Sequence, residues 1–163
     1  GCGNGRDTFF FLKDFSKVVG IDKSETASKN NAKKFKNKFQ SINICKKTKN
    51  LNLGKFDNIY ARFFIHAISE NDQEFFFLNI KKISKKNTRL FLEFRTIKDP
   101  MYKYGKKISK YERISSHYRR FIDLEKFENS LKSNKLKIIY KKTSFNFAKY
   151  QNQKPHICRM IIT

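Results

Sequence analysis

The chain begins with residues 1–7, GCGNGRD, and residues 17–24 read KVVGIDKS. Glycine adopts left-handed backbone conformations without a steric penalty from a Cβ, so a glycine-rich turn lets the backbone approach a bound molecule closely. Such a turn normally follows a strand and opens a helix. The run KVVGID is short, apolar and closed by an acid, which predicts a buried strand with Asp22 at its carboxyl end.

The spacing of the glycines separates two kinds of nucleotide-binding loop. Dinucleotide-binding folds use GxGxxG, in which the third glycine allows close packing of helix on strand. This chain has GxGxG at Gly1, Gly3 and Gly5, and Arg6 stands where the third glycine of that motif would be. With Asp22, whose carboxylate can accept hydrogen bonds from both ribose hydroxyls, the pattern resembles the class I S-adenosylmethionine-dependent methyltransferases.

This resemblance implies a cofactor, S-adenosyl-L-methionine, and a set of residues that bind it. In the family the glycine loop passes beneath the methionine part of the cofactor, which assigns Gly1, Gly3 and Gly5, and the acid after the second strand binds the ribose, which assigns Asp22. The family also has an acid that contacts the adenine amino group. The matching residue here is Asn43 in SINIC, and an amide can still bond the adenine edge.

Residues 57–68, DNIYARFFIHAI, resemble the family's fourth strand and the loop after it. The resemblance implies that Phe63 forms a wall of the cofactor pocket and that His66 is a catalytic candidate. A single histidine among apolar residues is also typical of a packed core position, so both interpretations of His66 stay open.

A third stretch predicts the acceptor site. Residues 93–107, EFRTIKDPMYKYGKK, are followed by residues 111–123, YERISSHYRRFID. The predicted strand ends at Arg95, and ligands of such folds bind beyond the carboxyl ends of the strands. We therefore predict that residues 97–122 form an insertion that covers the methyl acceptor. The residues expected to bind the acceptor are Arg95, Tyr118, Arg119 and Arg120, and the candidates for the base that takes its proton are His117 and His66.

Guanidinium groups suit phosphate and carboxylate, which favours an anionic acceptor. The alternative interpretation is that the HYRR cluster only places charges at the start of a helix. EFRT, KDP and HYRRF together resemble small bacterial methyltransferases of surface-glycan and capsule modification. The sequence thus predicts methyl transfer to an oxygen or nitrogen of a small, anionic or glycan-linked acceptor.

The hydrophobic periodicity predicts alternating strands and helices. Helices are expected at residues 4–15, 24–35, 72–85 and 123–131, and strands at residues 17–22, 39–44, 56–64 and 88–96. Residues 136–147 and 156–162 are expected to form an antiparallel pair. The fold class is therefore α/β, a Rossmann-like methyltransferase sandwich with a mostly parallel sheet and a C-terminal antiparallel strand pair, in one domain over residues 1–163.

The resemblance adds an expectation about the first strand. A methyltransferase of this kind places its central strand immediately before the GxG motif, and no such strand precedes Gly1. We expect the chain to be a fragment that begins at the glycine-rich cofactor loop, with that strand missing.

Composition limits the other function classes. No apolar run approaches the length of a membrane span, so a membrane protein is not expected. The three cysteines, Cys2, Cys45 and Cys158, are an odd number at wide spacings, which fits neither a disulfide framework nor a CxxC zinc site. The expected location is the cytoplasm, and no metal is expected.

The net charge of +23 leaves a rival interpretation open. Clustered lysine and arginine bind nucleic acid, and aromatic side chains stack on bases, so an RNA methyltransferase or a non-catalytic RNA-binding module is the alternative. The lysines are scattered beside abundant asparagine, isoleucine and phenylalanine, which is typical of a coding bias. This pattern favours a small-molecule acceptor over nucleic acid.

Overall fold

The computed structural model describes residues 1–149, 151 and 153–163. Within these residues, four helices and nine strands follow one another, and two short 3-10 turns lie at Ile65–Ala67 and Pro100–Lys103. The helices and strands are α1 (Arg6–Phe11), β1 (Gly20–Asp22), α2 (Glu25–Ala32), β2 (Phe39–Ser41), β3 (Phe56–Arg62), α3 (Glu70–Lys82), β4 (Ser84–Arg95), β5 (Lys106–Lys107), β6 (Glu112–Ile114), β7 (Tyr118–Arg120), α4 (Leu124–Ser133), β8 (Ile138–Ser144) and β9 (Ile157–Ile162).

The strands of the described residues form three sheets. β1 and β2 pair in parallel, and a four-stranded sheet has the order β3-β4-β9-β8. β3 and β4 are parallel, whereas β9 runs antiparallel to both β4 and β8, so this sheet is mixed. The antiparallel pairing of β8 with β9 confirms the predicted C-terminal strand pair, and strands alternating with helices confirm the α/β class.

Residues 1–2 lie between the carboxyl ends of β1 and β3, which belong to different sheets. On one side, the Cys2 amide donates to the Ile21 carbonyl oxygen at 2.8 Å. On the other, a Cβ placed on Gly1 would come within 2.5 Å of the Phe64 ring, just beyond β3. The glycine loop therefore begins at the edge where both strands end.

The core packs helices α3 and α4 against the four-stranded sheet. Phe127 of α4 stacks at 5.0 Å on Phe94 of β4 and at 6.0 Å on Phe77 of α3, measured between ring centroids. Each helix starts at a side chain that accepts a backbone N–H of its first turn, Ser69 for α3 and Asp123 for α4. Ser24 likewise caps α2, because its hydroxyl accepts from the Ala27 amide. In the described part of the chain, no helix has the length and apolar character of a membrane span.

The largest difference from the predicted elements lies in residues 98–120, expected as a loop without regular structure. They form a separate antiparallel sheet, β5-β6-β7, whose strands are at most three residues long. Polar contacts hold it: the Arg113 guanidinium donates to the carbonyl oxygens of Tyr102 and Ser109 and stacks on the Tyr102 ring. A sheet stabilised by such contacts has no hydrophobic alternation from which to predict it.

Candidate active site

The glycine loop has a backbone that only glycine adopts easily. Gly3 and Gly5 have positive φ angles of 52° and 80°. A Cβ at Gly5 would approach Asn31 and Phe9 to about 3 Å, so the loop packs tightly against helices α1 and α2 at that point. A Cβ at Gly3 would meet no atom within 4 Å, so the loop is open on that side. This combination leaves bare backbone facing free space.

Asp22 holds the loop in place through backbone hydrogen bonds. Its carboxylate accepts the Gly3 amide at 2.8 Å and the Ser24 amide at 3.0 Å. Burial by itself raises the pKa of Asp22, but the bonds from Ser24 and Gly3 outweigh it and hold that pKa below its ordinary value. Asp22 is therefore ionised at neutral pH, half-exposed, and keeps lone pairs for a ligand.

Asn31 is a loop contact that the sequence reasoning missed. It is 5% exposed on α2, and its amide nitrogen donates to the Gly3 carbonyl oxygen at 2.8 Å. An asparagine near the end of a polar helix carries no sequence signal of such a role. The predicted adenine contact, Asn43, lies after β2, where its side-chain oxygen accepts the Cys45 amide at 3.0 Å.

A cleft of about 450 Å³ lies beside the glycine loop. This size falls within the range of small-molecule and cofactor sites. Phe63 lines it with a φ angle of 54°, which is rare for a bulky residue and marks a constrained position just after β3. The cleft is lined by Gly1, Cys2, Asn4, Arg6, Asp7, Arg62, Phe63, Ala148 and Lys149.

These features fit the predicted cofactor. The open side at Gly3 accommodates a ligand against bare backbone, and an ionised carboxylate at Asp22 suits ribose hydroxyls. Gly1, Gly3, Gly5 and Asp22 lie together around this loop, and Phe63 reaches it from β3. The arrangement is a loop and cleft that can hold a nucleoside with a polar tail.

His66 connects the cleft to the end of β4. Its ring lies 5.3 Å from the Phe63 ring, and its Nδ1 accepts the Arg95 amide at 3.2 Å. Burial, with the nearby charge of Arg95 next in size, lowers the pKa of His66 to about 3. Because Nδ1 already accepts a bond, the neutral ring carries its proton on Nε2. His66 thus has no free lone pair for an acceptor's proton, contrary to the predicted base role.

His117 and Arg119 lie near the same end of β4. Burial, and after it the charges of Arg119 and Arg95, lower the pKa of His117 below its ordinary value. Burial and then Arg95 likewise lower the pKa of Arg119. His117 Nδ1 shares a hydrogen bond with Ser116 Oγ at 2.9 Å, and its Nε2 has no partner among the described residues. The structure thus brings the His117 imidazole close to the guanidiniums of Arg119 and Arg95.

The other residues predicted to bind the methyl acceptor make hydrogen bonds or ion pairs with groups of the protein itself. Arg120 is 8% exposed, and its guanidinium donates to Gln73 Oε1 at 2.6 Å and to the carbonyl oxygen of Ile68 at 3.1 Å. Neighbouring side chains of a strand point to opposite faces of the sheet, so the guanidiniums of Arg119 and Arg120 in β7 do not bind one anion together. Arg120 holds the insertion on the core, which corrects the prediction that it binds the acceptor.

Arg95 and Tyr118 each have an acidic partner. The Arg95 guanidinium pairs with the buried Asp99 carboxylate at 2.8 Å, and the Tyr118 hydroxyl donates to Glu112. Burial and this bond raise the pKa of Tyr118 well above its ordinary value, so the hydroxyl stays protonated. In the described part of the chain, neither Arg119 nor Arg120 has a carboxylate partner, but Arg120 is buried, whereas Arg119 is partly exposed and donates to Ser115 Oγ at 2.9 Å.

Comparisons with known proteins agree with this geometry. A methyltransferase from Clostridium acetobutylicum, dependent on S-adenosylmethionine, matches with a TM-score of 0.76 at 16% identity, over 99% of this chain and 80% of that one. A methyltransferase from Methanosarcina mazei gives 0.78 at 13% identity, over 100% and 89%. The glycopeptide N-methyltransferase MtfA gives 0.72 at 12% identity, over 99% and 80%. These similarities establish a Rossmann-like methyltransferase fold, and no curated protein matches the sequence.

The sequence itself carries the family assignment. Residues 1–90, more than half of the chain, match the family model described as a methyltransferase domain. This segment includes the glycine loop, Asp22 and the stretch from β3 to α3. The match confirms the predicted enzyme class and, with it, S-adenosylmethionine as cofactor. The chain therefore belongs to the methyltransferase domain family.

Proposed function

We propose that the protein transfers a methyl group from S-adenosylmethionine to an oxygen or nitrogen of a small, anionic acceptor. The observation that carries the acceptor class is the Arg119 guanidinium, which lies near Arg95 without a carboxylate of its own in the described residues. Asp99 pairs with Arg95, so the two guanidiniums and this carboxylate together carry one excess positive charge in a partly buried place. An anionic acceptor would balance this charge and would gain charge-assisted hydrogen bonds from Arg119.

The glycine side of the site binds the cofactor in this proposal. Gly1, Gly3 and Gly5 present bare backbone to its amino-acid part, Asp22 accepts hydrogen bonds from the ribose, and Asn43 bonds the adenine edge. Phe63 closes the cleft toward the acceptor. S-adenosylmethionine supplies a methyl group that its sulfonium already activates, so the protein mainly has to align the acceptor and exclude water.

His117 is the proposed base. With its Nδ1–H donated to Ser116 Oγ, the lone pair of Nε2 is free for the acceptor's proton. The lowered pKa of His117 keeps the imidazole neutral at physiological pH, as a base requires. His66 serves this site as a neutral ring that orients the Arg95 backbone.

Residues 97–122 are the proposed cover of the acceptor. The segment leaves and rejoins the fold at one place, since the Ile122 amide donates to the Arg95 carbonyl oxygen and the Ile97 amide to the Ile122 carbonyl oxygen, both at 3.1 Å. A segment closed at its base in this way can present β5–β7 over the end of β4 as one unit. It carries both His117 and Arg119.

A glycan-linked acceptor is the finer proposal. It is supported by the resemblance of EFRT, KDP and HYRRF to methyltransferases of surface glycans, and MtfA, which shares the fold, methylates glycopeptides. The test is transfer of labelled methyl from S-adenosylmethionine to sugars with a carboxylate or phosphate, compared with the same sugars without the anion. We expect methylation of the anionic members, and equal rates with neutral sugars would contradict the acceptor class.

The rival proposal, action on or binding to RNA, rests on the net charge of +23. The lysines of residues 33–38 are largely exposed, as a polyanion surface requires. A nucleic-acid surface predicts tight RNA binding that weakens steeply with salt, because each neutralised phosphate releases a counterion. We expect weak binding without preference for an RNA sequence. Tight, salt-sensitive RNA binding without methyl transfer to small acceptors would favour the rival.

We also propose that β1 and β3 flank the place of a central strand, which would join the two sheets into one mostly parallel sheet. The positions of Cys2 against Ile21 and of Gly1 against Phe64 support this arrangement. A crystal structure of the protein tests it: a further strand hydrogen-bonded to both β1 and β3 is expected, and direct pairing of β1 with β3 would contradict it. The proposed location stays the cytoplasm, consistent with the free thiols of Cys45 and Cys158.

A further inference from the structure

Arg62 is the last residue of β3 and lines the cleft beside the glycine loop. Its Nε donates to the Glu93 carboxylate at 2.7 Å, and its guanidinium lies 4.5 Å from the centre of the Phe63 ring. These two contacts hold the guanidinium between Glu93 and the Phe63 ring. Among the described residues, no acceptor lies within hydrogen-bond distance of its two terminal nitrogens, so both remain available to a ligand in the cleft.

The charges around Arg62 do not balance. Glu93 is 6% exposed and lies between two arginines, since its second oxygen accepts from Arg159 Nε at 2.6 Å. One carboxylate therefore serves two guanidiniums, and the cluster carries one excess positive charge. A partly buried excess charge favours the binding of an anion.

The other cations of the cleft are less suited to orient an anion. Arg6 pairs with Asp7 at 2.8 Å, which neutralises it, and its side chain is largely exposed. Lys149 is exposed and can move freely on its flexible side chain. Arg62 is the cation of the cleft that is both oriented by the protein and left with excess charge.

We propose that Arg62 binds the carboxylate of the amino-acid part of S-adenosylmethionine through its two terminal nitrogens, and that Glu93 positions it. A planar guanidinium with a free outer edge matches a carboxylate in a bidentate pair. The carboxylate of the cofactor would offset the one excess positive charge of the Arg62–Glu93–Arg159 cluster. The inference rests on the proposed binding of the cofactor at the glycine loop.

The experiment compares two ligands by isothermal titration. S-adenosylhomocysteine carries the amino-acid carboxylate, whereas 5′-methylthioadenosine has the same nucleoside and a thioether but no amino-acid part. We expect Arg62→Gln to weaken S-adenosylhomocysteine by about 10- to 100-fold, the range of a lost charged hydrogen bond, and to leave 5′-methylthioadenosine within about twofold. Arg62→Lys, which keeps the charge without the fork, should weaken S-adenosylhomocysteine by a smaller factor.

Arg89→Gln is the matched control, because Arg89 is an exposed arginine of β4 that does not line the cleft. We expect unchanged binding of both ligands in this variant, and circular dichroism should report folded protein for each. Equal losses for both ligands in Arg62→Gln, or no loss for either, would overturn the inference while leaving cofactor binding intact. Wild-type protein that binds neither ligand would instead overturn the proposed function, and the inference with it.

Discussion

The two halves of the candidate site are built in different ways. On the cofactor side, the side chains of Asp22 and Asn31 form hydrogen bonds with the backbone of the glycine loop and hold its conformation. On the acceptor side, Arg95 at the end of β4 lies near Arg119 and His117 of the inserted segment 97–122. The cofactor side is therefore a preformed backbone loop, whereas the acceptor side carries an excess of positive charge. Changes on the first should alter cofactor affinity, and changes on the second should alter acceptor use and pH dependence.

The largest expected effect is on the cofactor side. Asp22→Ala removes the proposed ribose acceptor and both backbone bonds that hold the loop. We expect S-adenosylhomocysteine to bind about 10- to 100-fold more weakly, measured by isothermal titration. Asp57→Ala is the control, because it removes an exposed carboxylate at the opposite end of β3, paired with Lys85. Unchanged affinity in Asp22→Ala would remove Asp22 from the site.

The next effect concerns protein stability and depends on His66, which contacts Phe63 on the cofactor side and Arg95 on the acceptor side. The folded pKa of His66 is about 3 against 6.5 in the unfolded chain, so the unfolded state binds the proton first as pH falls. Stability is therefore complete above pH 6.5 and falls below it, by about 2 kcal/mol at pH 5. His66→Asn keeps an acceptor for the Arg95 amide but does not titrate, and its unfolding free energy in urea should fall less.

His117→Asn is the control for this measurement, because His117 is exposed and its titration should change stability little. If the His66→Asn variant and the wild type lose the same stability between pH 7 and pH 5, the neutral, buried state of His66 is wrong.

On the acceptor side, Arg119→Lys keeps the charge but removes the planar fork. We expect kcat/KM for the anionic acceptor to fall by about 10-fold, a loss typical of one charged hydrogen bond, with unchanged affinity for S-adenosylhomocysteine. Arg89→Lys, an exposed arginine on β4, is the matched control. A loss of cofactor affinity in Arg119→Lys would break the separation between the two halves.

The smallest expected effect is on the pH profile. His117 acts as a base only when neutral, so the rate should fall as pH drops through its pKa, which lies below 6.5 because of burial, Arg119 and Arg95. Arg119→Gln removes one of these charges and should move this acid limb to higher pH. A limb that persists unchanged in His117→Gln would assign it to another group.

The cofactor side was the more predictable from sequence. A glycine at φ of 52° or 80° and an acid at the end of a short apolar strand are local signals, because backbone conformation and strand ends depend on neighbouring residues. Ser24 as a helix cap is of the same kind. Asn31 was missed because its partner, the Gly3 carbonyl, lies 28 residues away and leaves no trace in the helix sequence.

The acceptor side was less predictable for the same physical reason. Arg119 and Arg120 look equivalent in sequence, but strand alternation turns Arg120 toward Gln73, which is 47 residues away. Similarly, the buried state of His66 depends on β4 and on the insertion packing over it, and Arg62 gains its excess charge only when β9 brings Arg159 to Glu93. Partners distant in the chain decide which charged side chains are free.

The central claim is that the glycine loop and its cleft hold the cofactor. Titration of isotopically labelled protein with S-adenosylhomocysteine, followed by backbone amide NMR, tests it most directly. We predict saturable shifts at Gly3, Gly5, Asp22 and Phe63, with the amides of β8 unaffected. Saturable shifts that spare the glycine loop and Asp22, or no shifts at any ligand concentration, would contradict the account.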